Sequence, residues 1–246
     1  MSQNTISLSR LPGRSWIGLT LVAAGVALFF IVNQLVVPAL NLRLIDNEEL
    51  NQILLYQFTM LGLTLLILMV LAMIFKKTFW HYVRFGDMQA NPEPVGWLGI
   101  RSTDTWLKVG ITFTLIVSIG TSIFMVMGME GDLSRLNFSY LGLALLFALS
   151  NSFIEEAITR LGVVVSLDGI LHPKHIAIIS GLVFGIPHFF GIPGGPIGAI
   201  MAGFMGWLLA KSMLETRGVF WAWFIHFLQD VIIFMVMVSL LFAQAA

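Results

Sequence analysis

Seven apolar runs, at roughly 16–38, 52–75, 105–128, 138–166, 175–190, 196–213 and 219–243, alternate with short polar segments along this chain. A bilayer core about 30 Å thick is crossed by about 20 apolar residues as helix, since hydrocarbon offers no partner to backbone N–H and C=O groups. The pattern predicts an all-α, polytopic integral membrane bundle of about seven transmembrane helices. The fifth and sixth runs are short, and "FGIPGGPIG" divides them. Its Gly and Pro break helices, and such backbone is tolerated at membrane depth only where protein buries it or water reaches it. A short or broken fifth/sixth pair is therefore expected.

The longest polar segment, 76–104, carries Lys76, Lys77, Arg84 and Arg101 with Pro92 and Pro94, and reads as a connecting loop with an interfacial stretch around Trp97. With no internal repeat or low-complexity tract, residues 1–246 form one membrane domain. The first run is too long for a signal-peptide core, and Asn33, Gln34 and Pro38 give no small-x-small cleavage site, so retention is expected. Composition agrees: 58% of residues are hydrophobic, 11% are charged, and the mean hydropathy is +0.92. Lys plus Arg and Asp plus Glu number 13 each, so bulk charge recruits no nucleic acid. The absence of cysteine removes disulfides, thiolate nucleophiles and Cys-ligated metals. Arg10, Arg14, Lys76, Lys77, Arg84, Arg101, Lys108, Lys174, Lys211 and Arg217 fall on one side of a seven-span arrangement, against Arg43 and Arg135 on the other. The positive-inside rule then puts the N-terminus inside and the C-terminus outside.

Charges within the runs carry the chemistry. An ionised side chain at membrane depth costs about 2.5–3.5 kcal/mol even on insertion scales, so it usually faces a bundle interior or cavity and finds a partner. In "FIEEAITRLG", Glu156 and Arg160 are i and i+4 on one helical face, acid before base, and neutralise each other. Glu155 lies about 100° around the helix with no basic partner in its segment. His188 late in the fifth run, and His226 with Asp230 one turn apart in the seventh, are the candidate partners. Counted by helical rise, Glu155 and His226 share a depth and His188 falls deeper. The same groups would also serve a buried polar network that fixes helix packing, or a proton path.

Glu155-Glu156-x-x-x-Arg160, Phe184-x-x-x-His188 and His226-x-x-x-Asp230, in this order on successive apolar segments, resemble the CPBP family, also called the Abi or CAAX-protease-like family. It contains the type II CAAX prenyl endopeptidases and many bacterial membrane proteins. The likeness covers about 138–240, a catalytic core within the single domain. Gly203-Phe204-Met205-Gly206 and Glu215-Thr216-Arg217-Gly218 support it. The resemblance implies an intramembrane glutamic endopeptidase acting on a membrane-associated peptide or protein, without cofactor, in a bacterial cytoplasmic membrane. Glu155 and His188 would activate water, with His226 and Asp230 stabilising the oxyanion and Phe184 packing the motif. The family often has asparagine where this chain has Asp230. An ionised aspartate cannot donate a hydrogen bond, so Asp230 is either protonated, or holds His226 as a charged donor, or gives weaker oxyanion support.

Other chemistries lack their signatures. There is no His-Glu-x-x-His and no Gly-x-Ser-x-Gly, and Gly128-Met129-Glu130-Gly131-Asp132 has the wrong spacing for an aspartyl intramembrane protease. Asp168, His172 and His175 read as a solvated turn, because a metal site needs three or four convergent ligands. Zinc on Glu155, His188 and His226 is the lesser alternative to metal-free catalysis. Two other functions compete: a catalytically silent bacteriocin-immunity or scaffold protein of the same family, and a proton-coupled carrier, which the missing repeat symmetry disfavours.

Overall fold

A computed structural model describes residues 11–191 and 193–244. Its helices are α1 (Gly13–Leu40), α2 (Glu48–Tyr82), α3 (Trp106–Gly128), α4 (Phe138–Leu167), α5 (Pro173–Gly185), α6 (Gly195–Thr216) and α7 (Phe220–Gln244). All but α5 are long and apolar enough to cross a membrane. No strand forms among the described residues; one β-bridge joins Val95 to Ile100 in the loop between α2 and α3.

Helix limits follow from local chemistry. Asn47 caps α2 by accepting from the Leu50 amide at 3.1 Å, with Glu48 and Glu49 in the first turn, where the helix dipole favours acids. The apolar run of α2 ends at Phe75, and at Lys76 the backbone leaves helical geometry (φ 36°, ψ −103°) before the helix resumes to Tyr82. At 13 residues α5 measures about 20 Å, short of the bilayer core, and it ends in a tight turn over Pro187–Phe190. The fifth segment is thus short as expected. The sixth is not: α6 runs 22 residues to Thr216, because Lys211 and Glu215 pair one turn apart and neutralise each other within the helix.

Helices α5 and α6 touch backbone to backbone. A Cβ on Gly185 would lie 2.6 Å from the Ala199 carbonyl oxygen, and one on Gly181 2.7 Å from that of Gly203. This small-residue contact, the usual means of close approach in membranes, fixes the end of α5 that carries Phe184 and leads into the turn that carries His188. Among the described residues two helices contain a π-turn, Val32–Val36 in α1 and Ala157–Leu161 in α4. The widened turn of α4 is held from both sides. The Thr159 hydroxyl donates to the Glu155 carbonyl at 2.7 Å, and the Ser180 hydroxyl of α5 donates to the Thr159 carbonyl at 2.8 Å.

Among the described residues, buried apolar side chains form two clusters. The larger gathers Val22, Leu71, Ile158, Val164, Leu208 and Ile225 among others, and the smaller joins Leu50, Phe147, Ala148, Phe234 and Val238. Between them in α4 and α7 lie the polar residues Ser150, Asn151, Ser152, Glu155, Glu156, His226, Gln229 and Asp230. That polar layer is the candidate site.

Candidate active site

Glu155 and Glu156 are adjacent but lead different lives. The Glu156 side chain is 6% exposed, and its Oε2 lies 3.2 Å from Nε of the fully buried Arg160. The approach is close but poorly aligned: neither atom has a well-directed hydrogen-bond partner among the described residues. The Arg160 guanidinium instead rests 3.7 Å above the Phe184 ring and donates to the Thr159 hydroxyl. Phe184 also meets His226 edge-on, with ring centroids 5.5 Å apart, and lies 4.3 Å from the His188 ring. It is the common wall of the three motifs.

The other Glu156 oxygen, Oε1, is 2.7 Å from Nδ1 of His226. A carboxylate accepts, so Nδ1 carries the proton and Nε2 faces forward. It lies 3.6 Å from Glu155 Oε2 and 3.6 Å from Asp230 Oδ1. These separations are too long for hydrogen bonds but close enough for strong charge coupling. Asn151, one turn before Glu155, completes the group by donating to Asp230 Oδ2 at 3.0 Å and to Glu155 Oε1 at 3.3 Å.

Glu155 differs in reaching open space. Its side chain is 20% exposed, and it lines a cavity of about 200 Å³ together with His188, Thr159, Phe184, Tyr56 and Asn33. A water needs only about 10–15 Å³ of such space, so several fit. His188 Nδ1 donates to the Phe184 carbonyl at 2.8 Å. Its Nε2 is then left as an acceptor when the ring is neutral. Glu155 and His188 share this cavity without bonding to each other.

The structure thus gathers Glu155, Glu156, Arg160, Phe184, His226 and Asp230 in one layer, with His188 against Phe184 and lining the cavity that Glu155 also lines. Asp168, His172 and His175 lie elsewhere and do ordinary work: Asp168 pairs with Arg217 at 3.1 Å, and His172 Nδ1 accepts from the Lys174 amide at 3.2 Å. Among the described residues, no three His, Asp or Glu side chains converge as a metal-ligand set. Three side chains at the site escaped the reading of the sequence. Asn151 had a signal, a lone amide one turn before Glu155 in an apolar run. Tyr56 had none, and Asn33 only that of a polar residue in the first span.

A family model described as Rce1-like, type II CAAX prenyl endopeptidase Rce1-like, matches residues 137–232, from the start of α4 to just beyond Asp230. No curated protein and no solved structure matches the chain. The matched segment holds Glu155, Glu156, Arg160, Phe184, His188, His226 and Asp230, whereas α1, α2 and α3 lie outside it. Over residues 137–232 the chain is similar to the Rce1-like type II CAAX prenyl endopeptidases, consistent with the CPBP and CAAX-protease resemblance of its motifs.

Proposed function

We propose that this integral membrane protein is an endopeptidase that hydrolyses a membrane-associated peptide or protein, with Glu155 as general base. The supporting observation is the division between the two glutamates: Glu156 is committed to Arg160 and His226, while Glu155 reaches the cavity that His188 shares. A water in the cavity gives one proton to the Glu155 carboxylate and directs its other hydrogen to His188 Nε2. Its oxygen attacks the peptide carbonyl carbon, and the C=O π electrons move to the oxygen. When the tetrahedral intermediate collapses, the C–N bond breaks and Glu155 returns its proton to the leaving nitrogen. General acid–base transfer of this kind contributes about 10²–10⁴ in rate.

His226 and Asp230 stand behind Glu155 in this reading. Both Asp230 oxygens face groups that can donate, Asn151 and His226 Nε2, which is the arrangement of an acceptor. That favours an ionised Asp230 holding His226 as imidazolium beside the Glu155 carboxylate, over a protonated oxyanion donor. The orientation with the N-terminus inside, in a bacterial cytoplasmic membrane, belongs to this proposal. A bacteriocin leader, signal-like peptide or regulatory membrane protein fits as substrate there.

The test is mass spectrometry of membrane peptides from cells carrying wild-type or Glu155→Gln protein. Peptides that end at a common cleavage site should appear with wild type only. Identical peptidomes would overturn the reading in favour of a silent scaffold or a carrier. Activity of the purified protein should survive exhaustive chelation; loss on chelation and recovery with zinc would replace the metal-free base with a metal-bound water.

A further inference from the structure

Attack on a peptide carbonyl places negative charge on its oxygen, and donors aimed at that charge are commonly the largest catalytic contribution. The polar groups of the family motifs are poorly placed to supply it here. His226 Nδ1 is bound to Glu156, its Nε2 faces Glu155 and Asp230, and the His226 and Asp230 side chains are 6% and 7% exposed. The hydroxyl of Thr159, another residue that lines the cavity, is already donated to the Glu155 carbonyl.

Two further residues with donor groups line the same cavity as Glu155 and His188: Tyr56 of α2, with its hydroxyl, and Asn33 in the π-turn of α1, with its amide. Neither side chain has a hydrogen-bond partner among the described residues. Asn33 is exposed, whereas Tyr56 is half-buried. A donor acts more strongly on developing charge where water is scarce. A phenol with an ordinary pKa near 10 also keeps its proton through the neutral range. Residue 56 is held in register with the site one helical position along, where Gln57 of α2 hydrogen-bonds Ser150 of α4.

We propose that Tyr56 is a catalytic residue of this protein, its O–H donating the hydrogen bond that stabilises the oxyanion formed when water activated by Glu155 attacks the peptide carbonyl. No proton is transferred from Tyr56, and the hydrogen bond is released as the intermediate collapses. The inference rests on the endopeptidase reading. It places part of the catalytic apparatus in α2, outside the segment that the family model matches.

The experiment uses the full chain in lipid nanodiscs and, as probe, a quenched-fluorescent peptide spanning the cleavage site found by comparing wild type with Glu155→Gln. Tyr56→Phe keeps the ring and loses only the hydroxyl. Its kcat should fall by about 10²–10³, with KM and thermal stability unchanged. Binding of the corresponding peptide aldehyde, whose hydrate mimics the tetrahedral intermediate, should weaken by a similar factor. Full kcat in Tyr56→Phe with an inactive Glu155→Gln would overturn this inference and leave the endopeptidase reading standing. Active Glu155→Gln, or a wild type that cleaves nothing, would remove both. A rise in KM or a loss of thermal stability that accounts for the deficit would make Tyr56 a binding or packing residue, and a kcat loss in Asn33→Leu alone would give the role to Asn33. Should Tyr56→Phe fail to fold, Tyr56→3-fluorotyrosine, whose hydroxyl is more acidic, should move the alkaline limb of the pH–rate profile to lower pH. An unmoved limb would count against the proposal.

Discussion

Among the described residues two acid–base pairs at i, i+4 spacing join charges inside the bundle, the buried Glu156–Arg160 in α4 and Lys211–Glu215 in α6, where Lys211 is buried and Glu215 half-buried. The α6 pair is closed. Glu215 accepts from Lys211, from the Trp106 indole at 2.9 Å and from the Glu93 amide at 3.2 Å, and Lys211 also donates to the Glu93 carbonyl at 2.8 Å. Every charge ends on a partner, and the result ties the loop between α2 and α3 to α6. The α4 pair is open: Glu156 divides its oxygens between Arg160 and His226, the guanidinium lies against Phe184, and Glu155 remains as a carboxylate beyond the neutralised pair. A buried ion pair is weak evidence of stability or of function. The surplus charge beside it, facing a cavity, separates a site from a strut.

The largest expected effect removes that surplus. Glu155→Gln preserves shape and should cut turnover by at least about 10²–10⁴, the worth of a general base, while folded protein stays in the membrane at wild-type yield. A cleavage assay on purified protein alongside size-exclusion chromatography checks both halves. Glu156→Gln should reverse the pattern in part, because it strands the buried Arg160. Breaking a buried pair by removing one partner costs about 3–5 kcal/mol, so thermal stability and yield should fall further than in Glu155→Gln. If the two variants behaved alike, the glutamates would not divide their labour as proposed.

Asp230→Asn tests the edge of the open cluster with a smaller effect. An ionised Asp230 that supports His226 as imidazolium is lost in this variant, and activity should fall about tenfold near neutrality, the cost of about 1.4 kcal/mol, and recover on acidification. A protonated oxyanion donor would instead be replaced by the asparagine amide, with activity kept and a flatter alkaline limb. Measuring the full pH–rate profile distinguishes the two, and a profile superimposable on wild type would reject both. In the closed cluster, Glu215→Gln leaves donors unmet and should cost about 1–3 kcal/mol of stability with kcat per folded molecule unchanged. A thermal melt and an active-site titration would show it.

Much of this was legible in the chain because hydropathy and charge pairing act locally. The run of α2 ends at Phe75, beside the kink at Lys76, although the first part of the segment read as a loop, through Tyr82, continues the helix, and the surplus of Glu155 over Glu156 follows from one turn of helix. What was hidden depends on distant partners. The π-turn of α4 is stabilised by Thr159 bonding back to Glu155 and by Ser180 from another helix, neither of which alters the apolar pattern. The share of Glu156 taken by His226 joins residues 70 positions apart, and the Asn151–Asp230 bond joins residues 79 apart. Tyr56 left no mark because a tyrosine in an apolar run is unremarked until a carboxylate faces the same cavity. The extra length of α6 was masked by Lys211 and Glu215, whose charges lower hydropathy while cancelling in space.

The smallest expected effect lies at the exposed rim of the closed cluster. Glu93 lends its backbone to Lys211 and Glu215, but its carboxylate reaches outward to Lys174 at 2.7 Å, with side chains 45% and 62% exposed. The hydrogen bond from Lys174 holds the Glu93 carboxyl below its ordinary pKa, helped by the charges of Lys174 and Lys211 and opposed by burial. A depressed folded-state pKa means that stabilisation is complete above the ordinary glutamate value of about 4.3 and is lost as pH falls through the lower folded value. Water screens so exposed a pair, which holds its contribution to about 0–1 kcal/mol. Glu93→Gln should therefore lower the melting temperature slightly at pH 7, by no more than that energy allows, and the difference from wild type should close as the solution is acidified below the folded pKa of Glu93. A gap that persisted in acid would mean that the side chain acts through packing and not through charge. A gap as large as that of Glu215→Gln would mean that the rim, and not the buried pair, holds the loop to α6.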